Sequence, residues 1–199
     1  LKNLITIGNK EGRSVAVLIN PKIDALLEST SRSFYPTLKY LPKKIRSQIG
    51  LLYLLARIAD TIADSREGET NDLMRVLKEY NEAVQGRSEK LPDFSELSEI
   101  QQNEAEAELL RNVAEVVEAL GEYSEPDKEK ILECLEVIIG GQIMDLERFG
   151  VAREGGEISA LVNNEEMDDY TYRVAGCVGV FWTKMSLHHL ISLGREKEE

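Results

Sequence analysis

The sequence predicts an all-α protein, and three observations carry that expectation. Apolar residues recur at helical spacing through most of the chain. Aromatic residues make up only 6% of it, while Leu, Ile, Glu and Ala dominate, a composition suited to helices packed through aliphatic faces. No segment carries a strand signal of comparable strength. With 199 residues, 42% of them apolar, the chain suffices for one sizeable core but not for a second full domain, so residues 1–199 are expected to form a single domain.

Residues Leu1 to Asn20 show no helical period, with Gly8 and Gly12 interrupting it, and stand as an arm without assigned structure. From Pro21 a helical face begins at Ile23, Leu26 and Leu27 and runs towards Phe34; Pro36 and Pro42 then predict a short connection. A long helix comes next, from about Lys43 to Ser65. Leu73, Val76, Leu77 and Tyr80 predict a helix over Thr70 to Val84, ended by Gly86. After a linker from Gly86 to Ser95, one helix is expected from Ser95 to Leu120, with Gly121 behind it. Ser124, Pro126 and Asp127 announce a helix to Phe149, closed by Gly150. A polar loop with Gly155, Gly156, Asn163 and Asn164 leads to a last helix, Glu165 to Leu193, capped by Gly194.

A net charge of -12 opposes nucleic-acid binding, which needs Lys and Arg to neutralise phosphates. It does not oppose a small phosphate ligand, since a few cations inside a cleft reverse the local field. Cys134 and Cys177 are far apart in sequence and lack CxxC spacing, so neither a disulfide framework nor a zinc site is expected, and the compartment reads as reducing, hence cytoplasmic. The longest apolar run, Ile49 to Ala59, contains Arg57 and is too short to span a bilayer. No signal peptide is recognisable. A soluble chain is expected, compatible with peripheral membrane contact; the sequence does not set the oligomeric state.

The segment IGLLYLLARIADTIAD, Ile49 to Asp64, is apolar nearly all round and so predicts a buried helix. Its polar residues are therefore costly to keep. Tyr53, Arg57, Asp60 and Asp64 are spaced by four, three and four residues, which at about 100° per residue puts them in one stripe. Gly50, Ala56, Thr61 and Ala63 beside it are small and leave room for a ligand. Two carboxylates at i and i+4 suit hard Mg²⁺, which takes oxygen ligands and keeps positions for water and phosphate. Arg57 can hold an anion, and Tyr53 offers a ring and a hydroxyl. A lone DxxxD would ordinarily be a solvated pair or a partner of Arg57. The company of Tyr53 and Arg57, and two acids at the negative end of a helix dipole, favour a cation site instead.

Three blocks resemble the squalene and phytoene synthase family, the head-to-head prenyl synthases of the isoprenoid synthase fold. They are SRSFYPTLKYLP (Ser31 to Pro42), YLLARIADTIAD (Tyr53 to Asp64) and DDYTYRVAGCVG (Asp168 to Gly179). With the helical spacing between them, the likeness covers about Leu27 to Leu193, and the last block looks nearer to bacterial squalene synthases. The resemblance implies a helical bundle in which two prenyl diphosphates, taken as farnesyl, condense through a cyclopropyl diphosphate to presqualene diphosphate and squalene, with Mg²⁺ assisting diphosphate loss. It implies Asp60 and Asp64 as metal ligands, with Tyr53 and Arg57 matching the family's tyrosine and arginine before them. Ser31, Arg32, Ser33 and Phe34 match the segment touching the diphosphate. Tyr170 matches a tyrosine near the ionising substrate, and Val174, Val178 and Gly179 match tunnel-lining positions. Taken alone, Tyr170, Val174, Cys177, Phe181 and Met185 would read as core packing on one helical face.

Two departures stand out. Ala63 replaces an acid that many relatives carry before the last Asp of the motif. The family's second Asp-rich helix comes after the Tyr170 block, and the sequence stops at Glu199. The expectation is thus the N-terminal two-thirds of an isoprenoid synthase domain, without its C-terminal helices and with half the metal site. Asp145, Glu147, Asp168 and Asp169 are read as solvated or capping acids. His188 and His189, with no carboxylate or Cys at ligand spacing, are read as packing and surface residues. Lys39, Lys43, Lys44 and Arg46 form a basic cluster suited to diphosphate or anionic headgroups, or to a solvated helix start. NADPH use is implied by resemblance only, since no GxGxxG follows a strand. The alternatives are a phytoene synthase acting on geranylgeranyl diphosphate and a catalytically incomplete prenyl-diphosphate-binding module.

Overall fold

The computed structural model describes residues 18–65, 69–153, 155–157 and 160–191, and among them every regular element is helical. Most of the expected arm, with Leu193 and Gly194, lies outside the described residues. The first helix, α1 (Pro21–Ser31), starts on three polar signals. The Asn20 side chain accepts the N–H of Ile23 at 2.9 Å, Pro21 fills the first turn, and the buried Asp24 carboxylate accepts the N–H groups of Leu18 and Ile19. The helix ends at Arg32, whose φ of 45° is costly for a residue with a side chain.

The connection expected between Pro36 and Pro42 is in fact a short helix, α2 (Phe34–Tyr40). Pro36 sits in its first turn, where a missing N–H removes no helical bond. The long helix α3 (Arg46–Ala63) begins three residues later than expected because the N–H groups of Ile45 and Arg46 turn back to the Pro42 carbonyl. Helix α4 (Thr70–Val84) has the predicted bounds, and Gly86, at φ 72°, takes the left-handed position that lets Arg87 N–H reach the Glu82 carbonyl at 2.8 Å.

The single helix expected from Ser95 to Leu120 is broken into α5 (Ser95–Glu99), α6 (Glu104–Arg111), α7 (Val113–Glu118) and a 3₁₀ turn (Ala119–Glu122). Two asparagines cause the breaks. The Asn103 side chain caps α6 by accepting Ala105 N–H, and the Asn112 amide donates to the Glu108 carbonyl at 2.7 Å while its backbone leaves helical geometry. Helix α8 (Glu125–Arg153) runs through Gly150 instead of closing there. A Cβ at Gly150 would collide with the Thr70 side chain, so this glycine serves a close approach to α4; the left-handed glycine is Gly155, at φ 89°. The last expected helix divides into α9 (Asn164–Thr171), a π-turn (Tyr172–Gly176) and α10 (Cys177–His189).

Helix α3 is the centre of the molecule, touching α1, α2, α4, α6, α7 and α8. Leu51, Leu54, Leu55, Ile58 and Ile62 are fully buried in it. Tyr80 of α4 is buried with them, and its hydroxyl donates to the Leu55 carbonyl at 3.1 Å, so its burial leaves no unpaired donor. Helix α8 lies along α3 and α4 and carries α10 on another side. No helix of the described residues is long and apolar enough to cross a membrane.

The contact between α8 and the π-turn depends on Gly141, where an added Cβ would stand 2.8 Å from the Arg173 Cβ and 3.5 Å from its carbonyl carbon. Gly141→Ala is expected to destabilise the fold by about 1–3 kcal/mol despite the gain in helix propensity, because two backbones must part. Gly140→Ala, which meets only the far end of the Arg173 side chain at 3.2 Å, is expected to be neutral or stabilising by up to about 1 kcal/mol. Urea midpoints of the two variants check this pair.

Candidate functional site

The predicted stripe on α3 forms, but its members play unequal parts. Asp60 is half-buried, and Asp64, the C-cap residue, is exposed with its N–H on the Asp60 carbonyl at 2.8 Å. Both line a cleft of about 370 Å³ between α3, α8 and α9, together with Gln142, Asp145, Phe149, Tyr170 and Val174. Burial pushes the Asp60 carboxyl above the usual carboxylate range and the Asp64 charge adds to this, while Arg57 and the hydrogen bond from Gln142 Nε2 oppose it.

Arg57 and Tyr53 stand further back along α3. The Arg57 guanidinium reaches the Tyr53 hydroxyl at 3.4 Å and acts on Asp60 through space. Burial pulls the Arg57 pKa down, but Tyr53 and the charges of Asp60 and Glu106 outweigh this and raise it. Tyr53 donates to the Thr30 carbonyl at 3.2 Å, and its ring lies 5.3 Å from that of Phe34. The Ser31 to Phe34 block is thus docked on the stripe through Phe34. Ser31 itself is buried, its hydroxyl donating to the Leu27 carbonyl of its own helix, whereas Arg32 and Ser33 are exposed. In the basic cluster, the Lys39 ammonium lies over the Tyr35 ring at 4.1 Å, and Arg46 donates to the Lys39 carbonyl.

The opposite wall is supplied by α8, and sequence reasoning missed it. Asp145, read as a solvated or capping acid, is partly buried in the cleft and accepts the Tyr170 hydroxyl at 3.0 Å. That hydrogen bond, more than burial, raises the Tyr170 pKa and keeps the hydroxyl a donor. The Tyr170 ring also meets Phe149 edge to face at 6.3 Å. Gln142 Oε1 is buried without a partner among the described residues. The signal was present in the sequence: Gln142 and Asp145 interrupt an apolar run after Gly140 and Gly141, as Asp60 interrupts α3. Glu147, Asp168 and Asp169 are exposed, and Asp169 pairs with Arg173 at 2.8 Å. Of the expected tunnel residues, Val174 lines the cleft, Val178 packs on the core, and Gly179 is exposed.

These donors fit Mg²⁺. Three carboxylates and an unpaired buried amide oxygen form an all-oxygen set suited to a hard cation. The volume lies in the range of small-ligand sites, roughly 300–1,000 Å³.

The fold is all-α, and the comparisons place it with the isoprenoid synthases. A solved structure described as the complex of TcSQS with the ligand E5700 superposes with a TM-score of 0.65 at 21% identity, over 84% of this chain and 44% of that one. In sequence, the squalene synthase of Cyberlindnera jadinii is 28% identical over 156 residues, which is 77% of this chain and 32% of that protein. The profile of the squalene/phytoene synthases matches residues 27–198. The chain belongs to the squalene/phytoene synthase family. It spans about a third of the length of the curated relative it matches.

The raised Asp60 pKa has a sign that can be measured. A carboxyl whose folded pKa lies above its unfolded value favours folding when protonated, and that contribution is lost as pH rises through the folded value. At pH 7 without metal, Asp60→Asn is therefore expected to raise the Tm. The advantage should shrink as pH falls towards the ordinary Asp range near 4. A lower Tm for the variant at pH 7 would show the carboxylate to be a structural partner.

Proposed function

We propose that the cleft holds the diphosphate of a prenyl diphosphate, and that the protein condenses two farnesyl diphosphates head to head to presqualene diphosphate and squalene. The observation that supports this reading is the convergence of Asp60, Asp64, Asp145, Gln142 and the Tyr170 hydroxyl on one cleft. Bound Mg²⁺, held by Asp60 and Asp64 with Asp145 facing them, would supply charge neutralisation for the departing diphosphate. Arg57 adds a permanent positive charge behind the pair, and the exposed Arg32 lies in the block beside it.

In this scheme the C1–O bond of one substrate breaks and its electron pair leaves with the diphosphate. The allylic cation is taken up by the double bond of the second substrate, and a proton is lost as the cyclopropane closes. The residues need provide no nucleophile. Phe149 and Tyr170 offer ring faces to the cation, and Tyr170 keeps its proton in the hydrogen bond to Asp145, so donation to a phosphate oxygen would require the hydroxyl to turn away from Asp145. Conversion of presqualene diphosphate to squalene would break its remaining C–O bond, release the second diphosphate, and quench the resulting cation with a hydride from NADPH.

Farnesyl and geranylgeranyl diphosphate, each with Mg²⁺ and with or without NADPH, separate the readings by their products. Farnesyl turnover is expected; turnover of geranylgeranyl diphosphate alone would make the protein a phytoene synthase. Metal-independent binding without product would favour a catalytically incomplete binding module. Asp60→Asn or Asp64→Asn is expected to weaken Mg²⁺-dependent diphosphate binding by about 10–100-fold with unchanged helical circular dichroism. Binding equal to the wild type would overturn the assignment.

A further inference from the structure

A second cluster of metal-ligating side chains lies away from the cleft, where the end of α10 meets the start of α8. Asp127, in the first turn of α8, is 4% exposed. Its Oδ2 accepts the Gln48 amide of α3 at 3.1 Å, which turns Oδ1 towards His189 Nε2 at 2.7 Å. The His188 ring stands edge-on to His189, with centroids 4.6 Å apart. One ligand atom from each of Asp127, His188 and His189 falls within 4.8 Å of the others. We propose that these three residues bind a transition-metal dication such as Zn²⁺, which staples α10 to α8.

The donor set decides the class of metal. Imidazole nitrogen suits Zn²⁺, Co²⁺ or Ni²⁺ and is a poor ligand for Mg²⁺, so this site and the all-oxygen cleft select different ions. The geometry needs small adjustments. Tetrahedral Zn²⁺, with bonds near 2.1 Å, holds neighbouring donors about 3.4 Å apart. The Asp127 to His189 contact must open from 2.7 Å, while all three donor atoms already lie within 4.8 Å of one another. Gln48 is placed as an outer-shell partner that orients the carboxylate. The two histidines lie at the C-terminal end of α10, where the helix dipole favours a cation. His188 is exposed, so an ion and a completing water can reach the site from solvent.

The pairing also answers the objection drawn from spacing. His188 and His189 have no carboxylate nearby in sequence; Asp127 comes to His189 from 62 residues away. A staple here would hold the far end of α10, whose near end joins the π-turn and Tyr170.

The test uses the whole chain, stripped with EDTA, then titrated with Zn²⁺ and, separately, with Co²⁺. One equivalent of Zn²⁺ is expected to bind and raise the Tm, with Co²⁺ giving the visible bands of a tetrahedral complex and excess Mg²⁺ failing to displace it. H188Q removes one ligand and leaves the Asp127 to His189 hydrogen bond, so it is expected to keep the metal-free Tm while weakening Zn²⁺ binding at least tenfold. D60N, in the cleft, is expected to bind Zn²⁺ as the wild type does. Three results would overturn the proposal: no stoichiometric binding, binding by H188Q equal to the wild type, or loss of binding in D60N. The first two would reduce the cluster to a hydrogen-bonded latch between Asp127 and His189.

Discussion

The contact between α3 and α8 is the constraint on which the rest of the structure depends. Helix α3 is covered on nearly every side by α1, α2, α4, α6, α7 and α8, so any polar side chain on it must be paired or tolerated at a cost. Asp60 is tolerated. Its carboxylate is drawn out of water against α8, with one hydrogen bond from Gln142 and a second acid one turn away. A fold that needed Asp60 only for stability would be better served by an amide of the same shape. Its place in a desolvated contact supports the proposed ligand-binding role, in which stability is given up for a ligand.

Around that contact the chain places small residues where helices must approach and polar ones where the cleft must be lined. Gly141 lets the π-turn close on α8, which brings Tyr170 within reach of Asp145 and Val174 into the cleft. A π-turn adds one residue to a helical turn and so re-aims the helix beyond it. Without it, residues in the last turn of α9 and the first of α10 would sit in a continuous helical register, and Tyr170 and Cys177 would share one face. With it, Tyr170 serves the cleft while Cys177, Phe181 and Met185 are buried in the core.

How much of this was legible in the sequence depends on where the information is local. The bounds of α4 could be read because its apolar period, its glycine and its polar flanks agree within a few residues. The stripe from Tyr53 to Asp64 could be read for the same reason, since one helix carries it. The division of Ser95 to Leu120 was missed because Asn103 and Asn112 break the helix through side-chain hydrogen bonds that apolar periodicity does not register. Gly150 was misread as a terminator because close packing and left-handed geometry both favour glycine, and only the neighbouring Thr70 tells them apart. Asp145 was missed because its partner, Tyr170, lies 25 residues away. The likeness of the Ser31 block to its family placed it near the diphosphate, and the structure docks it on Tyr53 through Phe34, with Ser31 turned inward.

The two ends of the proposed prenyl diphosphate ligand make different demands, and the described structure meets them unequally. On the proposed function the charged head needs oxygen donors and cations in fixed positions; Asp60, Asp64, Asp145 and the Tyr170 hydroxyl supply the oxygen donors in one cleft, and Arg57 acts on Asp60 from behind it. The hydrocarbon tail gains only about 0.8 kcal/mol per buried CH₂, and only where apolar walls remove it from water. Beyond Val174 those walls are partial. Val174, Val180 and Leu187 are each more than 40% exposed, while Val178 is spent on the core. On the proposed function, recognition in this part of the fold rests on electrostatics at the head, with Asp60 as the group whose burial makes each nearby charge count for more. On that reading the first-order determinant of diphosphate binding is the acid set that α3 and α8 present to each other.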